Sequence, residues 1–409
     1  MSHEPLIRRV EDWLIAEALR DPDILELFEQ LCERLRGLGL PLDRAVLSWP
    51  TLHPLFRAEQ IFWRTDEGAK LEQYYHSSAG SAQYLASPFH HAQTTGQPVM
   101  RRRLSGDGAL VDFDVLRELS DKGYSDYLLT ATRFRIADVA NYSHGPTGMM
   151  ASWATRSTSG FNDDDLEALQ RIQRVLAVAC RSAIQKRVMS NLAAAYLGPT
   201  AGSRVLAGNI RRGDGAVIRA IVWFSDLRGS TRHSEAMDAD SYLALLNRYF
   251  ECTAQPVIDR GGEVLNFIGD GVLAIFPIDG QCPRDAAARA EEAAREAMRL
   301  GAEATPDPRV PPFRFGVGLS VGEIKFGNIG VPGRLAFSAI GHVVNEVHRV
   351  EKATARTGQP VLATAAFAEL APGSWTPAGR LDPDEFPVPT ELFGFRASAQ
   401  PAEMDEATG

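Results

Sequence analysis

Residues 217–231 read VIRAIVWFSDLRGST, and residues 263–276 read EVLNFIGDGVLAIF. The first stretch predicts a buried strand, because its residues are almost continuously apolar up to Phe224. That strand ends in Asp226, and a glycine turn follows. The second stretch predicts a β-hairpin, because two apolar strands flank an Asp-Gly pair of the kind that hairpin turns favour. The hairpin places Asp270 at its tip.

Asp226 and Asp270 allow two interpretations. In the simpler one, Asp226 caps a helix and Asp270 serves only the turn. In the functional one, the two carboxylates lie side by side on adjacent central strands and hold two Mg²⁺ or Mn²⁺ ions around a triphosphate. The free backbone amides of the turn after Asp226 would then bind phosphate groups. This turn comprises Leu227, Arg228, Gly229, Ser230 and Thr231.

A third segment, residues 340–349, reads IGHVVNEVHR. Together with the F-x-D-L-R-G-S-T turn and the I-G-D-G-x-L-A-x-F hairpin, it resembles the three signatures of class III adenylate and guanylate cyclases, in the family's order and spacing. The resemblance covers roughly residues 215–395 and implies an α+β domain of the ferredoxin-like βαββαβ type. Any one signature could arise by chance, whereas the three together identify the family.

The resemblance also implies a role for individual residues. Asp226 and Asp270 match the two metal-binding aspartates, so that one ion would activate the ribose 3′-hydroxyl and the other would hold the triphosphate. Asn345 and Arg349 match the transition-state pair, and their i, i+4 spacing puts both on one helix face. In this family the two pairs meet across a head-to-tail interface, which implies a homodimer with two composite sites.

Two positions that read the purine base in the family differ here. Asn266 stands where Lys is usual, and Ser338 fits the branch in which a hydroxyl accepts from the adenine amino group. A triphosphate-binding Lys is expected late in the domain, but the aligned stretch, residues 381–386, reads LDPDEF. Arg380 is the nearby cation that could replace it.

The predicted function is therefore an adenylate cyclase that converts ATP to 3′,5′-cyclic AMP and pyrophosphate under the control of the N-terminal half. A guanylate cyclase and a catalytically silent nucleotide-binding regulator are the alternatives, the latter motivated by Asn266 and Asp384. A palm-type polymerase or diguanylate cyclase is disfavoured, because the hairpin reads I-G-D-G and the domain is not basic.

Composition limits where the protein acts and what it binds. The formal net charge is −9 over 409 residues, which argues against a nucleic-acid partner. The sequence contains no run of 18 apolar residues and no signal-peptide core, so we expect a cytoplasmic protein without membrane attachment. Four scattered cysteines predict no disulfide framework.

The N-terminal half predicts a sensor domain. Two helices over residues 5–38 precede strand-like runs at 45–49, 60–63, 133–139 and 149–155. This order resembles a GAF-type domain, an α/β fold that often holds a small ligand. The predicted division of the chain is 1–160 GAF-like domain, 161–198 signalling helix, 199–216 linker, 217–395 cyclase domain and 396–409 disordered tail.

The signalling helix carries an apolar stripe from Leu166 to Leu192. The stripe either covers its own domain or forms the seam of a two-stranded helix with a second chain, and its length favours the second interpretation. Its start is predicted at Asn162 or Asp163, either of which can cap the helix. An unknown small molecule or protein would act on the N-terminal domain as its regulator.

Overall fold

The structure is a computed structural model and describes residues 4–134, 148–278, 280, 282–303, 307–381 and 390–395. The chain divides into two compact units, Met1–Ala195 and Tyr196–Gly409. None of the helices in the described part combines the length and the apolar character that crossing a lipid bilayer requires. The four cysteines are free thiols.

The N-terminal unit is built on one antiparallel sheet with the strand order β3-β2-β1-β6-β5-β4. Its strands are β1 (Arg44–Pro50), β2 (Phe56–Arg64), β3 (Gly68–Tyr75), β4 (Val99–Arg103), β5 (Asp126–Arg133) and β6 (Gly148–Thr155). Its helices are α1 (Glu4–Ala18), α2 (Ile24–Gly37), α3 (Ala82–Leu85), α4 (Pro88–Thr95), α5 (Asp114–Asp121) and α6 (Asp163–Leu197).

The two predicted N-terminal helices and the strands at 45–49, 60–63 and 149–155 are confirmed. The strand predicted at 133–139 lies almost wholly outside the described residues. Helix α2 begins where Asp23 caps it, since the Asp23 carboxylate accepts from the amides of Leu25 at 2.8 Å and Glu26 at 3.2 Å.

Helix α6 packs on its own unit. Its buried residues from Ala168 to Val188 belong to the same core as Phe28 of α2 and Trp153 of β6. The apolar stripe is therefore explained by packing within the N-terminal unit, and the two-stranded interpretation is wrong over this length. Asn162 caps the helix, because its side chain accepts from the amide of Asp165 at 2.9 Å.

A buried carboxylate joins strands β4 and β5 to the segment that leads into α6. Asp126 is fully buried and accepts from Arg101 at 2.6 Å, from Arg103 at 3.2 Å and from the amide of Phe161 at 3.0 Å. Because both arginines are partly exposed, they pay little desolvation cost while they neutralise the buried charge.

We predict that Asp126→Asn destabilises the N-terminal unit by about 2 kcal/mol, because the arginines lose their buried counter-charge while remaining partly solvated. Hydrogen exchange of peptides from β4 and β5 measures the loss. The control is Asp112→Asn, which breaks the partly exposed pair with Arg102 at 2.9 Å and should change stability by less than about 1 kcal/mol. Equal protection in the two variants would contradict this role.

The C-terminal unit contains an eight-stranded sheet. Its strands are β7 (Gly215–Leu227), β8 (Glu263–Ile268), β9 (Gly271–Pro277), β10 (Phe315–Val331), β11 (Arg334–Ile340), β12 (Val361–Thr364), β13 (Trp375–Arg380) and β14 (Glu391–Phe395). Its helices are α7 (Pro199–Leu206), α8 (Ser230–Ala236), α9 (Ala239–Asp259), α10 (Pro283–Ala302), α11 (His342–Thr357) and α12 (Ala365–Ala368).

One feature differs from the predicted division of the chain. The stretch 199–216, predicted as a linker, contains helix α7 and the first residues of β7. Pro199 accounts for the difference, since proline at the first helical position favours the start of a helix. The predicted disordered tail, 396–409, lies outside the described residues.

Strand β7 is central in the sheet order β13-β14-β12-β10-β7-β9-β8. The run β7-α9-β8-β9-α10-β10 gives the spatial order β10-β7-β9-β8, which is the predicted ferredoxin-like arrangement. Successive side chains of β7 alternate between two cores: Ile221 and Trp223 pack with α9 and α10, whereas Val222 and Phe224 pack with α11. Asp226 follows the second set and therefore lies on the α11 face.

Candidate active site

Asp226 lies near the end of the central strand β7. In the sheet register it is opposite Gly271 of β9 on one side and Gly316 of β10 on the other. Strand β8 ends at Ile268 and β9 begins at Gly271, so Gly269 and Asp270 form the hairpin turn, with Gly269 in the left-handed region at φ 64°. The β7–β9 pairing thereby brings the strand end beside the hairpin tip.

Asp270 lies close enough to Asp226 for its charge to act on the Asp226 carboxyl group. Partial burial, as the larger cause, and Asp270, through its charge and a side-chain hydrogen bond, together raise the pKa of Asp226 to about 6. Arg228 and Lys352 act in the opposite direction. Such a hydrogen bond forms only when one of the two groups is protonated. When both groups are ionised they repel each other, and the fold has to hold them together.

The donor set fits a hard divalent cation. Mg²⁺ prefers oxygen ligands and is commonly held by one or two carboxylates together with substrate phosphates. No cluster of three or more His, Cys, Asp or Glu side chains that could hold a metal ion occurs within the described ranges. A metal at Asp226 and Asp270 would therefore take further ligands from the nucleotide, from backbone oxygens or from water.

The turn after Asp226 contacts the rest of the domain. The Leu227 side chain is buried in the core, and the amide of Arg228 donates to the carbonyl of Arg314 at 2.8 Å. The Arg228 guanidinium pairs with Glu351 of α11 at 2.8 Å. The amide of Arg228 is therefore already engaged, and Nη2 of its guanidinium contacts α11, while phosphate binding by this residue stays a prediction.

The rest of the turn keeps its predicted geometry. Gly229 has φ 71° and is the N-cap of α8, and Ser230 and Thr231 form the first turn of that helix. Amides in a first helical turn have no acceptor within the helix, so those of Ser230 and Thr231 are suited to donate hydrogen bonds to an anion.

Glu351 was not singled out in the sequence. It is 1% exposed, and burial raises its pKa to about 7, with Arg228 opposing the shift and Asp226 adding to it. Glu351 comes four residues after the buried Val347, so helical periodicity places it on the face of α11 that packs on the sheet. A second sequence signal is the Gly316-Val317-Gly318 stretch, since glycines in a strand often mark close approach of another backbone.

Helix α11 presents its predicted residues outward. Val343, Val344 and Val347 are buried against the sheet, whereas Asn345 is exposed and Arg349 is half-buried. His348 packs on the ring of Phe224 with centroids 3.8 Å apart, and burial lowers its pKa, with the charge of Lys352 acting in the same direction.

The two predicted base-reading residues lie on other strands. Asn266 is exposed on β8 opposite Leu273, and Ser338 is half-buried on β11 opposite Gly327. The acidic stretch at 382–386 lies outside the described residues. Arg380, considered as a phosphate ligand, pairs with Glu391 at 3.3 Å in an exposed ion pair.

Comparisons with known proteins bear on the family of the chain. No protein-family model matches the chain. An adenylate cyclase of Anabaena cylindrica is 30% identical over 158 residues, which cover 38% of this chain and 31% of the relative. A terminal-differentiation-specific adenylate cyclase of Dictyostelium discoideum is 31% identical over 149 residues, which cover 35% of this chain and 7% of the relative. The chain carries a class III cyclase catalytic domain.

The chain spans less than a third of the length of these relatives. Among solved structures, that of the guanylyl cyclase Cya2 is 27% identical, with a TM-score of 0.37, and the match covers 46% of this chain and 97% of that one.

The raised pKa values make the stability of the cyclase domain depend on pH. A carboxyl whose folded-state pKa is raised favours folding below its unfolded pKa, and this contribution is lost as pH rises through about 6 for Asp226 and about 7 for Glu351. Without divalent ions, the thermal midpoint should fall from pH 5 to pH 7.5, and Mn²⁺ should restore it mainly at the higher pH.

The Asp226→Asn variant is the control for this dependence. It removes one carboxyl and its repulsion of Asp270, so its thermal midpoint should fall less over the same pH interval and respond less to Mn²⁺. Differential scanning calorimetry in chelator and in Mn²⁺ measures both. The same pH slope and metal response in the variant and the unaltered chain would contradict the assignment.

Proposed function

We propose that the protein is an adenylate cyclase that converts ATP to 3′,5′-cyclic AMP and pyrophosphate. The observation that supports it best is the β7–β9 pairing, which brings Asp226 near the end of the central strand beside Asp270 in the hairpin turn of a class III cyclase domain. In the reaction the 3′-oxygen bonds to the α-phosphorus, the bond from that phosphorus to the β-phosphate bridge breaks, and the hydroxyl proton leaves.

Asp226 and Asp270 would hold two Mg²⁺ or Mn²⁺ ions. When bound, the ions supply activation of the 3′-hydroxyl and neutralise the charge of the triphosphate. The amides of Ser230 and Thr231 would bind phosphate oxygens at the start of α8. The remaining groups have to stabilise the charge that develops around the α-phosphorus.

Asn345 and Arg349 suit that task. The guanidinium of an arginine can meet phosphate oxygens with two hydrogen bonds, and the amide of Asn345 can orient the ribose. The exposure of Asn345 on α11 supports a site completed by a second copy of the chain, with Asn345 and Arg349 from one protomer facing Asp226 and Asp270 of its partner.

The preference for adenine rests on Asn266 and Ser338. The side-chain amide of Asn266 can donate to the adenine N1, and the Ser338 hydroxyl can accept from the adenine amino group. Guanine presents the reversed pattern at these two atoms, a donor at N1 and an acceptor at O6. Because an amide and a hydroxyl can each also serve guanine, we expect ATP to be preferred over GTP by a modest factor.

The N-terminal unit would regulate the cyclase domain as a GAF-like sensor for a small molecule or a protein. Its helix-flanked antiparallel sheet supports this role.

Purified protein with ATP and Mn²⁺ should form cyclic AMP, and Asp226→Ala or Asp270→Ala should each lower the rate by about 100-fold or more, because the ions lose half of their protein ligands. Chromatography of the products from ATP and from GTP measures rate and preference together. Asp259→Ala removes an exposed carboxylate at the end of α9 and should leave the rate unchanged. A rate that survives both metal-site substitutions would refute the assignment.

Mixing two inactive variants tests the composite site. Asp226→Ala lacks the metal half and Arg349→Ala lacks the transition-state half, so a heterodimer of the two holds one complete site. Random reassociation should restore about a quarter of the unaltered rate. Mixing Asp226→Ala with Asp270→Ala is the matched control, since both lack the same half and no site becomes complete. Recovery in neither mixture would contradict a site shared between chains.

A further inference from the structure

The ion pair between Arg228 and Glu351 connects the two halves of the catalytic machinery inside one chain. Arg228 comes two residues after Asp226, and Glu351 comes two residues after Arg349. Nη2 of Arg228 lies 2.8 Å from the Glu351 carboxylate, donates to the Glu351 carbonyl at 3.3 Å and contacts the Thr354 hydroxyl. One guanidinium thus reaches a side chain, a carbonyl and a hydroxyl of α11.

Two glycines of β10 create the space for these contacts. A Cβ on Gly316, which is opposite Asp226 in the sheet, would overlap Arg228, Thr354 and the Glu351 carboxylate. A Cβ on Gly318 would lie 2.6 Å from the carbonyl of Val347 and 2.8 Å from the amide of Glu351. Any larger residue at either position would push α11 away from the strand that borders Asp226.

The Arg228 backbone fixes the other end of the connection. Its amide donates to the carbonyl of Arg314 at 2.8 Å, immediately before β10 begins. The turn that carries Asp226 is therefore tied to β10 through its backbone and to α11 through the Arg228 side chain.

Stability alone does not explain this pair. Glu351 is 1% exposed, and the Arg228 side chain is 30% exposed. Burying an ion pair costs about as much desolvation energy as its attraction returns, so a well-packed apolar pair would stabilise the fold as well or better. What an apolar pair lacks is the fixed direction of the guanidinium contacts, which holds the turn and the helix in one relative position.

We propose that Arg228 and Glu351 are positioning residues that hold the Asp226 turn in register with Asn345 and Arg349 on α11. The inference rests on the proposed function. In the homodimer, α11 of each chain serves the partner's site while Asp226 serves its own. The pair would therefore also connect the two composite sites, so that a movement of the residues in one site would change the geometry of the other.

The test uses the full chain with Glu351→Gln and, separately, Arg228→Lys. Each roughly keeps the size of the side chain: Glu351→Gln removes the negative charge, and Arg228→Lys removes the guanidinium group. Because loss of an outer contact that orients a metal-site group typically costs 10–100-fold, we expect kcat to fall by about 10–100-fold. The Mn²⁺ concentration for half-maximal rate should rise by about 10-fold, while KM for ATP changes by less than about threefold.

Two further variants separate positioning from stability. Glu291→Gln is the matched control, since Glu291 is a mostly buried acid paired with Arg295 at 2.8 Å and bonded to Trp375. It should lower the thermal midpoint without moving kcat or the Mn²⁺ midpoint. The double variant Arg228→Leu, Glu351→Leu should have a thermal midpoint close to that of the unaltered chain, because the two leucines pack together. Its kcat should stay as low as that of the single variants.

An unaltered kcat and Mn²⁺ midpoint in Glu351→Gln would overturn the inference, as would recovery of kcat in the double leucine variant. Mn²⁺ binding measured by calorimetry separates this failure from failure of the proposed function. If the unaltered chain makes no cyclic nucleotide, yet Glu351→Gln binds Mn²⁺ about 10-fold more weakly, the function is wrong and the positioning role stands. If the unaltered chain makes no cyclic nucleotide and Glu351→Gln binds Mn²⁺ as tightly as the unaltered chain does, the positioning role is overturned as well.

Discussion

Two carboxylates held together at the end of strand β7 are the constraint on which the site depends. Asp226 and Asp270 repel each other when both are ionised, and partial burial adds to the cost. The β7–β9 ladder holds them in place through continuous pairing from Ala220↔Pro277 to Asp226↔Gly271. The sheet thus supplies the free energy that keeps two like charges adjacent, and a divalent cation between them would return part of it.

The surroundings of the pair balance charge at short range. Glu351 adds a third carboxylate, while Arg228 and Lys352 are the cations that act on Asp226. Arg228 is engaged with Glu351, so its charge offsets that buried acid first. The site consequently keeps an excess of negative charge beside the Asp226–Asp270 pair. This charge favours binding of a divalent ion and disfavours a nucleotide that carries no metal ion. Under the proposed function, a triphosphate would enter this acidic site together with its metal ion.

Much of the C-terminal unit could be predicted from its sequence. The apolar run before Asp226 and the Asp-Gly hairpin specify neighbouring strands, because uninterrupted apolar residues need burial on both faces and a tight turn forces antiparallel pairing. The i, i+4 spacing of Asn345 and Arg349 was sufficient to place them on one helix. These features are local, so short-range pattern rules apply to them.

The features that escaped prediction depend on long-range packing. Arg228 looked like part of a phosphate-binding turn, because nothing in its neighbourhood indicates that α11 lies within reach of its guanidinium. Strand β3 was missed because it is an edge strand with few apolar residues, GAKLEQYY, and little burial. The stripe of α6 is equally regular for packing on its own unit or on a second chain, so its periodicity could not decide between them.

The most direct test of the central claim is anomalous diffraction from crystals of the full chain grown with Mn²⁺ and a non-cyclisable ATP analogue. The account predicts Mn²⁺ peaks within coordination distance of the carboxylates of both Asp226 and Asp270, with the triphosphate on the same ions. Mn²⁺ bound elsewhere, or a nucleotide bound without contact to either aspartate, would contradict it.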